Sequence, residues 1–110
     1  MHVLTLRTTE QQEKGVLPFM AADGSITDGV VFFFPYAHSQ TLSGVGLRQP
    51  IRAYALDLNF KILPTPFGKR ILLQSGDVFQ LPPQTIHVVE TSFDTDPISD
   101  FSFLRKEVNQ

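Results

Sequence analysis

Apolar and polar residues alternate along several short stretches of the chain, which is the pattern typical of half-buried β-strands. Residues 2–8 place Leu4 and Leu6 on the face that we expect to point into the core. Glycine and proline turns separate the later stretches, because both residues interrupt regular pairing. Further short strands are predicted at residues 69–74, 77–81 and 86–92.

The middle of the chain predicts a hairpin. Residues 51–59 alternate with apolar side chains on both faces. Asn59 tolerates the left-handed conformation that tight turns require. We therefore expect residues 52–58 and 60–63 to pair around it.

One apolar run does not alternate at all. Residues 30–34 read Val-Val-Phe-Phe-Phe without a polar position. Such a run is typical of a central strand that is buried on both faces. The alternative is an exposed aromatic surface that docks a partner, because an uncovered patch of this kind would promote aggregation.

Two short helices are predicted. Thr9 and Gln12 fit the N-terminal capping box of a helix that ends at Gly15. Near the C-terminus, Asp96 followed by Pro97 resembles a helix start, after which Ile98, Phe101 and Leu104 recur at helical spacing. This second helix would lay an apolar stripe on the body of the protein or on a neighbouring subunit.

These elements predict a mainly β fold, α+β by strict count, in a chain of 110 residues. We expect a compact small β-barrel or sandwich of short strands with one or two short helices. Residues 1–92 would form one β-rich domain. Residues 93–110 would form a C-terminal tail whose short helix packs on that body or on a partner.

Charge and composition exclude several classes of function. The net charge of −2 gives no positive field to attract nucleic acid or an anionic membrane. The absence of cysteine excludes disulfides, thiolate metal sites and a cysteine nucleophile. We expect no cofactor. Neither a signal peptide nor a membrane-spanning segment is predicted, so the expectation is a soluble cytoplasmic or virion-associated protein.

One local pattern resembles the second half of the cupin signature. A glycine turn at Gly76, a strand, a proline turn at Pro82 and then His87 follow in the order of that motif. The paired histidines of the first cupin motif are missing upstream, where only His2 and His38 occur. The alternative function is therefore a metal-dependent cupin-like enzyme with His38, His87 and Glu90 as ligands, because imidazole and carboxylate suit divalent ions.

A second alternative is a small-ligand or anion-binding domain. Arg48 and Arg52 flank Pro50 and together could contact an anion. The chain contains no Gly-x-Ser-x-Gly nucleophile elbow and no phosphate-binding loop. A catalytic residue set is therefore not predicted.

Four segments taken in order resemble the widespread prokaryotic domain of unknown function one-ninety-two. They are residues 10–17 (EQQEKGVL), 31–35 (VFFFP), 46–57 (GLRQPIRAYALD) and 79–85 (FQLPPQT). The chain departs from that family at Arg52, where an acid is usual, and at Pro83 and Gln84, which replace a small residue and glycine. The resemblance implies a compact, mainly β domain with one short helix and no established catalytic residues.

The leading hypothesis is a non-enzymatic interaction or assembly module, including a structural or virion-associated accessory protein. The chain carries ten phenylalanines, several of them in segments predicted to be turns or termini. Aromatic side chains in such positions commonly anchor interfaces. We expect a protein partner or self-association through the anchors Phe19, Phe67, Phe101, Phe103 and Leu104.

Overall fold

The fold is built from short strands, seen here in a computed structural model that describes residues 2–21, 23, 26, 29–36 and 40–109. Within those residues there are seven strands and two α-helices, so the predicted mainly β class is confirmed. In chain order they are β1 (Val3–Leu6), α1 (Thr9–Lys14), β2 (Val30–Phe33), β3 (Thr41–Ser43), β4 (Ile51–Leu56), β5 (Ile71–Leu73), β6 (Val78–Gln80), β7 (His87–Ser92) and α2 (Arg105–Val108), with 3₁₀ turns at Leu17–Phe19 and Ser102–Leu104.

The strands form two sheets. The larger has the order β1-β2-β7-β4-β5 and the smaller pairs β3 with β6. Strand β1 runs parallel to β2, and every other pair is antiparallel. Strands β5 and β6 are joined by a tight turn yet belong to different sheets, so the chain leaves the large sheet at that turn.

Strand β2 is buried on both faces, which confirms the prediction of a central buried strand for residues 30–33, whereas Phe34 follows the strand and is only partly buried. All four of its residues are buried. Val31 and Phe33 pack into one hydrophobic cluster, and Val30 and Phe32 pack into the other. The large sheet is therefore the middle layer of the protein, with a hydrophobic core on each side.

Different segments cover the two faces of the large sheet. The first face is covered by the turn after α1, by the β3–β6 sheet and by the loop before β4. These segments contribute the core residues Val16, Leu42, Leu47 and Leu81. On the second face lie the turn after β4 and the C-terminal tail, with core members Phe60, Phe101 and Leu104.

Helix α1 begins one residue earlier than predicted. Thr8, and not Thr9, is the N-cap, and its hydroxyl accepts from the backbone N–H of Gln11 at 3.1 Å. The Gln11 side chain completes the capping box by accepting from the Thr8 backbone N–H at 3.1 Å. Two consecutive threonines offer the same chemistry, so the sequence alone does not choose between them. Gly15 ends the helix as predicted.

The turn after β4 is also displaced by one residue. Phe60, and not Asn59, takes the left-handed conformation, with φ of +64°. The Asp57 carboxylate accepts from the backbone N–H groups of Asn59 and Lys61, at 2.8 and 3.0 Å, and so fixes this geometry. The displacement turns the Phe60 ring into the second core. The predicted pairing is present but short. A bridge joins Leu56 to Ile62, and the backbone N–H groups of Asp57 and Leu63 donate to the carbonyls of Lys61 and Ala55 at 3.0 and 2.8 Å.

The tail packs on the body of the domain, but its predicted helix start at Asp96 is wrong. Helical structure begins only at Ser102. The backbone N–H of Ile98 donates to the Tyr54 hydroxyl at 3.2 Å, which holds this part of the tail extended across the sheet. The Tyr54 and Phe101 rings meet edge to face, with centroids 4.9 Å apart. None of the described helices is both long and apolar enough to cross a membrane.

Candidate functional site

Strand β7 carries two titratable side chains that point to opposite faces of the large sheet. Successive residues of a strand alternate between faces. Glu90 lies opposite Val31 and Ala53, which belong to the first core. His87 lies opposite Leu56, which belongs to the second core. The spacing of three residues therefore separates the two groups by the thickness of the sheet.

Glu90 forms part of a pocket on the first face, with a volume of about 440 Å³. This size lies within the range of small-molecule sites. The pocket opens between the end of α1 and the segment that joins β3 to β4. Its lining comprises Gln12, Glu13, Lys14, Gly15, Val16, Leu17, Phe33, Tyr36, Thr41, Leu42, Ser43, Val45, Leu47, Ile51 and Glu90.

The Glu90 carboxyl group is almost completely removed from solvent. The residue is 4% exposed, and burial raises the pKa of its carboxyl to about 8. Its neighbours across the strands, Val31 and Ala53, are apolar. Among the residues that the structure describes, no hydrogen bond involves this carboxyl. Glu90 is therefore a buried acid that is protonated at neutral pH and is open only to the pocket.

Two polar side chains hold the walls of the pocket in place. The Tyr36 hydroxyl donates to the Thr41 carbonyl at 2.6 Å, which links the end of the β2 segment to β3. Burial and the nearby Glu90 charge raise the pKa of Tyr36 to about 12, so it remains a neutral donor. The Gln12 amide donates to the carbonyls of Leu6 and Pro35, at 3.1 and 2.6 Å, which attaches α1 to the sheet.

The charged side chains of α1 lie at the rim of the pocket. Lys14 is 3.9 Å from Glu10, and both side chains are largely exposed. An ion pair of this kind contributes little to stability and leaves both groups free to move. Glu90 therefore lies at the floor of the pocket, and Lys14, the only lysine among the described lining residues, lies at its edge.

His87 occupies a closed aromatic cluster on the second face. Its ring stacks on Phe60, with centroids 5.2 Å apart and planes 14° from parallel, and also contacts Phe34 at 5.1 Å. Arg105 lies over the Phe60 ring and Arg7 over the Phe34 ring, at 5.6 and 5.4 Å. Burial lowers the pKa of the imidazole, although the Asp57 charge partly opposes this. His87 Nδ1 is buried without a hydrogen-bond partner.

The predicted metal site does not form from His87 and Glu90. The two side chains point away from each other across the sheet, so a single ion cannot contact both. His38, the third expected ligand, lies outside the described residues. No group of three or more metal-binding side chains occurs within the part of the chain that the structure describes.

The two arginines predicted to contact an anion bind different loops. Arg48 donates to the Ala21 carbonyl at 3.2 Å. Arg52 donates through Nε to the Phe93 carbonyl at 3.0 Å, and its guanidinium lies 5.3 Å from the centre of the Phe93 ring. Both side chains therefore fix loop conformation in this fold.

The predicted interface anchors have different positions in the fold. Phe101 and Leu104 are 1% and 0% exposed, because they fill the second core of the chain itself. The prediction that Phe101 and Leu104 anchor an interface is therefore wrong for these two residues. Phe19 and Phe103 are partly buried against the two cores. Phe67 is 69% exposed and meets the Phe79 ring edge to face at 5.2 Å.

The sequence identified Glu90 only as a metal ligand and did not predict its pocket. One signal was present in the sequence. In the predicted strand at residues 86–92, Glu90 and His87 are the only titratable residues, and Glu90 is the only acidic one. A carboxyl in a strand that is buried on both faces is uncommon unless it has a role. The pocket walls come from segments far apart in sequence, and no local pattern brings them together.

Comparisons with known proteins do not assign the chain to a family. Searches against protein-family models, curated proteins and solved structures each found no match. The resemblance to the prokaryotic domain of unknown function therefore stays a prediction.

His87 gives a test of the second core through the pH dependence of stability. The unfolded chain protonates this imidazole near the ordinary pKa of 6.5, whereas the folded chain does so only at lower pH. The unfolded state therefore binds more protons below about pH 6.5, and stability falls as pH decreases. His87→Leu has nearly the same volume and does not titrate.

We expect the free energy of unfolding of His87→Leu, relative to the original protein, to increase as pH is lowered from 7 to 5. Urea denaturation of both proteins at each pH measures this difference. A difference that does not change with pH would contradict the buried neutral imidazole.

Proposed function

We propose that this protein is a non-enzymatic binding domain that holds a small organic molecule in the pocket above Glu90. The observation that carries the proposal is a buried carboxyl group at the floor of a cavity of about 440 Å³. No described residue hydrogen-bonds to this carboxyl, so a ligand in the pocket can bond to it in place of water.

The lining of the pocket supports recognition more than catalysis. Leu17 and Val45, which are 46% and 71% exposed, supply apolar surface, and the core residues Phe33, Leu42 and Leu47 form the wall behind them. Tyr36 and Gln12 are engaged with backbone carbonyls and so stabilise the shape of the cavity. A rigid cavity loses little conformational freedom when it binds, which favours affinity.

The proposal predicts that blocking the pocket abolishes ligand binding. Thr41 and Gln80 face each other across β3 and β6, and both are exposed, but only Thr41 lines the pocket. Thr41→Trp should cover the cavity, and Gln80→Trp is the matched control. The measurement is an NMR screen of fragment-sized compounds, scored by shifts of the Leu42 and Glu90 amide signals.

We expect fragments that shift these signals in the original protein and in Gln80→Trp, with affinity reduced about tenfold or more in Thr41→Trp, equivalent to at least roughly 1.4 kcal/mol. The proposal fails if no fragment shifts these signals, or if Thr41→Trp binds as well as Gln80→Trp.

Self-association is a second candidate function, and one observation favours it. Phe67 lies in the turn closed by Thr65 and Gly68, whose backbone groups exchange two hydrogen bonds of 2.9 Å. The Thr65 hydroxyl also accepts from the Phe67 N–H at 3.1 Å. The ring is therefore presented to solvent on a well-fixed turn. Exposed aromatic anchors of low conformational entropy are typical of interfaces, and a second copy of the chain is the proposed partner.

Light scattering over a range of concentrations tests this candidate. Phe67→Ser should weaken a dimer about tenfold or more, because it removes an aromatic anchor. Leu58→Ser is the control, since Leu58 is similarly exposed at 70% and lies in a different turn. A protein that remains monomeric at every concentration, or a dimer that loses nothing in Phe67→Ser, would refute self-association through this turn.

A further inference from the structure

We propose that the ligand of the pocket is a small organic cation, an amine with an apolar body whose ammonium group binds the Glu90 carboxylate. This inference rests on the proposed function and names the chemistry of its ligand.

The carboxyl is placed to be the main polar contact of a ligand. Glu90 is 4% exposed, lines the cavity, and takes part in none of the hydrogen bonds among the described residues. An ionised carboxyl accepts hydrogen bonds and donates none. An ammonium group offers three N–H donors, and a charge-assisted bond between the two is about twice as strong as a neutral one.

The charges that face the pocket favour a cation over an anion. Helix α1 contributes Glu13 and Lys14 at the rim, and the segment after β2 contributes Tyr36. The lining residues from β2, β3, the β3–β4 loop and β4 carry no charge. Lys14 is exposed and lies 3.9 Å from Glu10. His87 is on the opposite face of the sheet. Among the described lining residues there is therefore no interior cation to balance an anionic ligand beside Glu90.

The remaining lining fits a hydrocarbon or aromatic body. Phe33 and Ile51 lie on the large sheet, and Leu17 and Leu47 come from the covering segments. A flat or branched apolar group can contact these side chains while its amine reaches the floor.

Binding of such a cation is coupled to loss of a proton from Glu90. The carboxyl has a pKa of about 8 in the free protein, so roughly nine-tenths of the molecules are protonated at pH 7. The ammonium group binds the ionised form. Close to one proton is therefore released for each amine bound. The observed affinity should rise about tenfold from pH 6 to pH 7 and about fivefold from pH 7 to pH 8.

Isothermal titration calorimetry with three probes of the same ring tests the inference. The probes are 2-phenylethylamine, 2-phenylethanol and 3-phenylpropionate, measured in two buffers of different ionisation enthalpy so that proton release can be counted. The amine should bind at least about tenfold more tightly than either other probe, in line with a charge-assisted contact. Of the three probes, only the amine should cause Glu90 to release a proton when it binds at pH 7.

Glu90→Gln is the variant that removes the ionisable group while keeping the shape of the side chain. It should bind the amine at least about tenfold more weakly and release no proton. Glu107→Gln, in α2 of the tail that packs on the opposite face of the sheet and outside the pocket lining, is the matched control and should retain both the affinity and the proton release. The rise in affinity with pH is measured on the original protein, so it tests the inference even if Glu90→Gln fails to fold.

The outcomes separate this inference from the proposed function. Tighter binding of the alcohol or of the carboxylate would overturn the inference that the ligand is a cation, and so would amine binding without proton release. Neither result would contradict the proposal that the pocket binds a small molecule. Fragments that bind in the pocket while the amine does not bind would likewise overturn the inference of a cation and keep the proposed function. If no fragment binds there, the proposed function itself fails.

Discussion

Strand β7 lies at the centre of the large sheet, hydrogen-bonded to β2 on one side and to β4 on the other, and all six of its residues are buried. Its side chains enter both cores, so each face of the protein depends on it. A strand in this position is normally apolar throughout. Here it carries His87 into one core and Glu90 into the other, and each core must accommodate a group that is costly to bury in charged form.

The two cores accommodate these groups in different ways. His87 is kept neutral among aromatic rings, whose outer faces are covered by Arg7 and Arg105. Glu90 is kept neutral by protonation, beneath a cavity that opens to solvent. The first arrangement is closed and serves packing. The second leaves the polar group accessible to a small molecule, which is why the candidate site lies on that face.

The pKa shifts of the two groups change stability in opposite directions with pH. The pKa of Glu90 is raised from 4.5 to about 8, so the folded state holds a proton that the unfolded state loses in this range. Its contribution to stability is present below about pH 4.5 and is lost as pH rises towards 8. The lowered pKa of His87 removes stability as pH falls below about 6.5. The two groups together favour an intermediate pH.

Much of the fold could be predicted from local patterns. The unbroken run in β2 predicted a doubly buried strand because no position in it could face water. The start of α1 was misplaced by one residue because Thr8 and Thr9 are equivalent as caps. The tail helix was misplaced because the Tyr54 hydroxyl, 44 residues away in sequence, captures the backbone of Ile98. Local patterns contain no information about such a contact.

The candidate site was less predictable than the fold. The spacing of His87 and Glu90 along a strand already indicates opposite faces, and this argues against a shared metal ion. The pocket could not be anticipated, because its walls come from α1, β2, β3, the loop before β4 and β7. The burial of Phe101 and Leu104 also follows from tertiary packing, since the same apolar stripe could equally have covered a partner.

The ionisation of Glu90 is the property on which the account of the site depends. Carbon-13 NMR of the Glu90 side-chain carboxyl, followed through a pH titration with and without 2-phenylethylamine, measures it directly. The account predicts a midpoint near pH 8 in the free protein, as burial requires, and a lower midpoint when the amine is bound. A midpoint near the ordinary value of 4.5, unchanged by the amine, would contradict it.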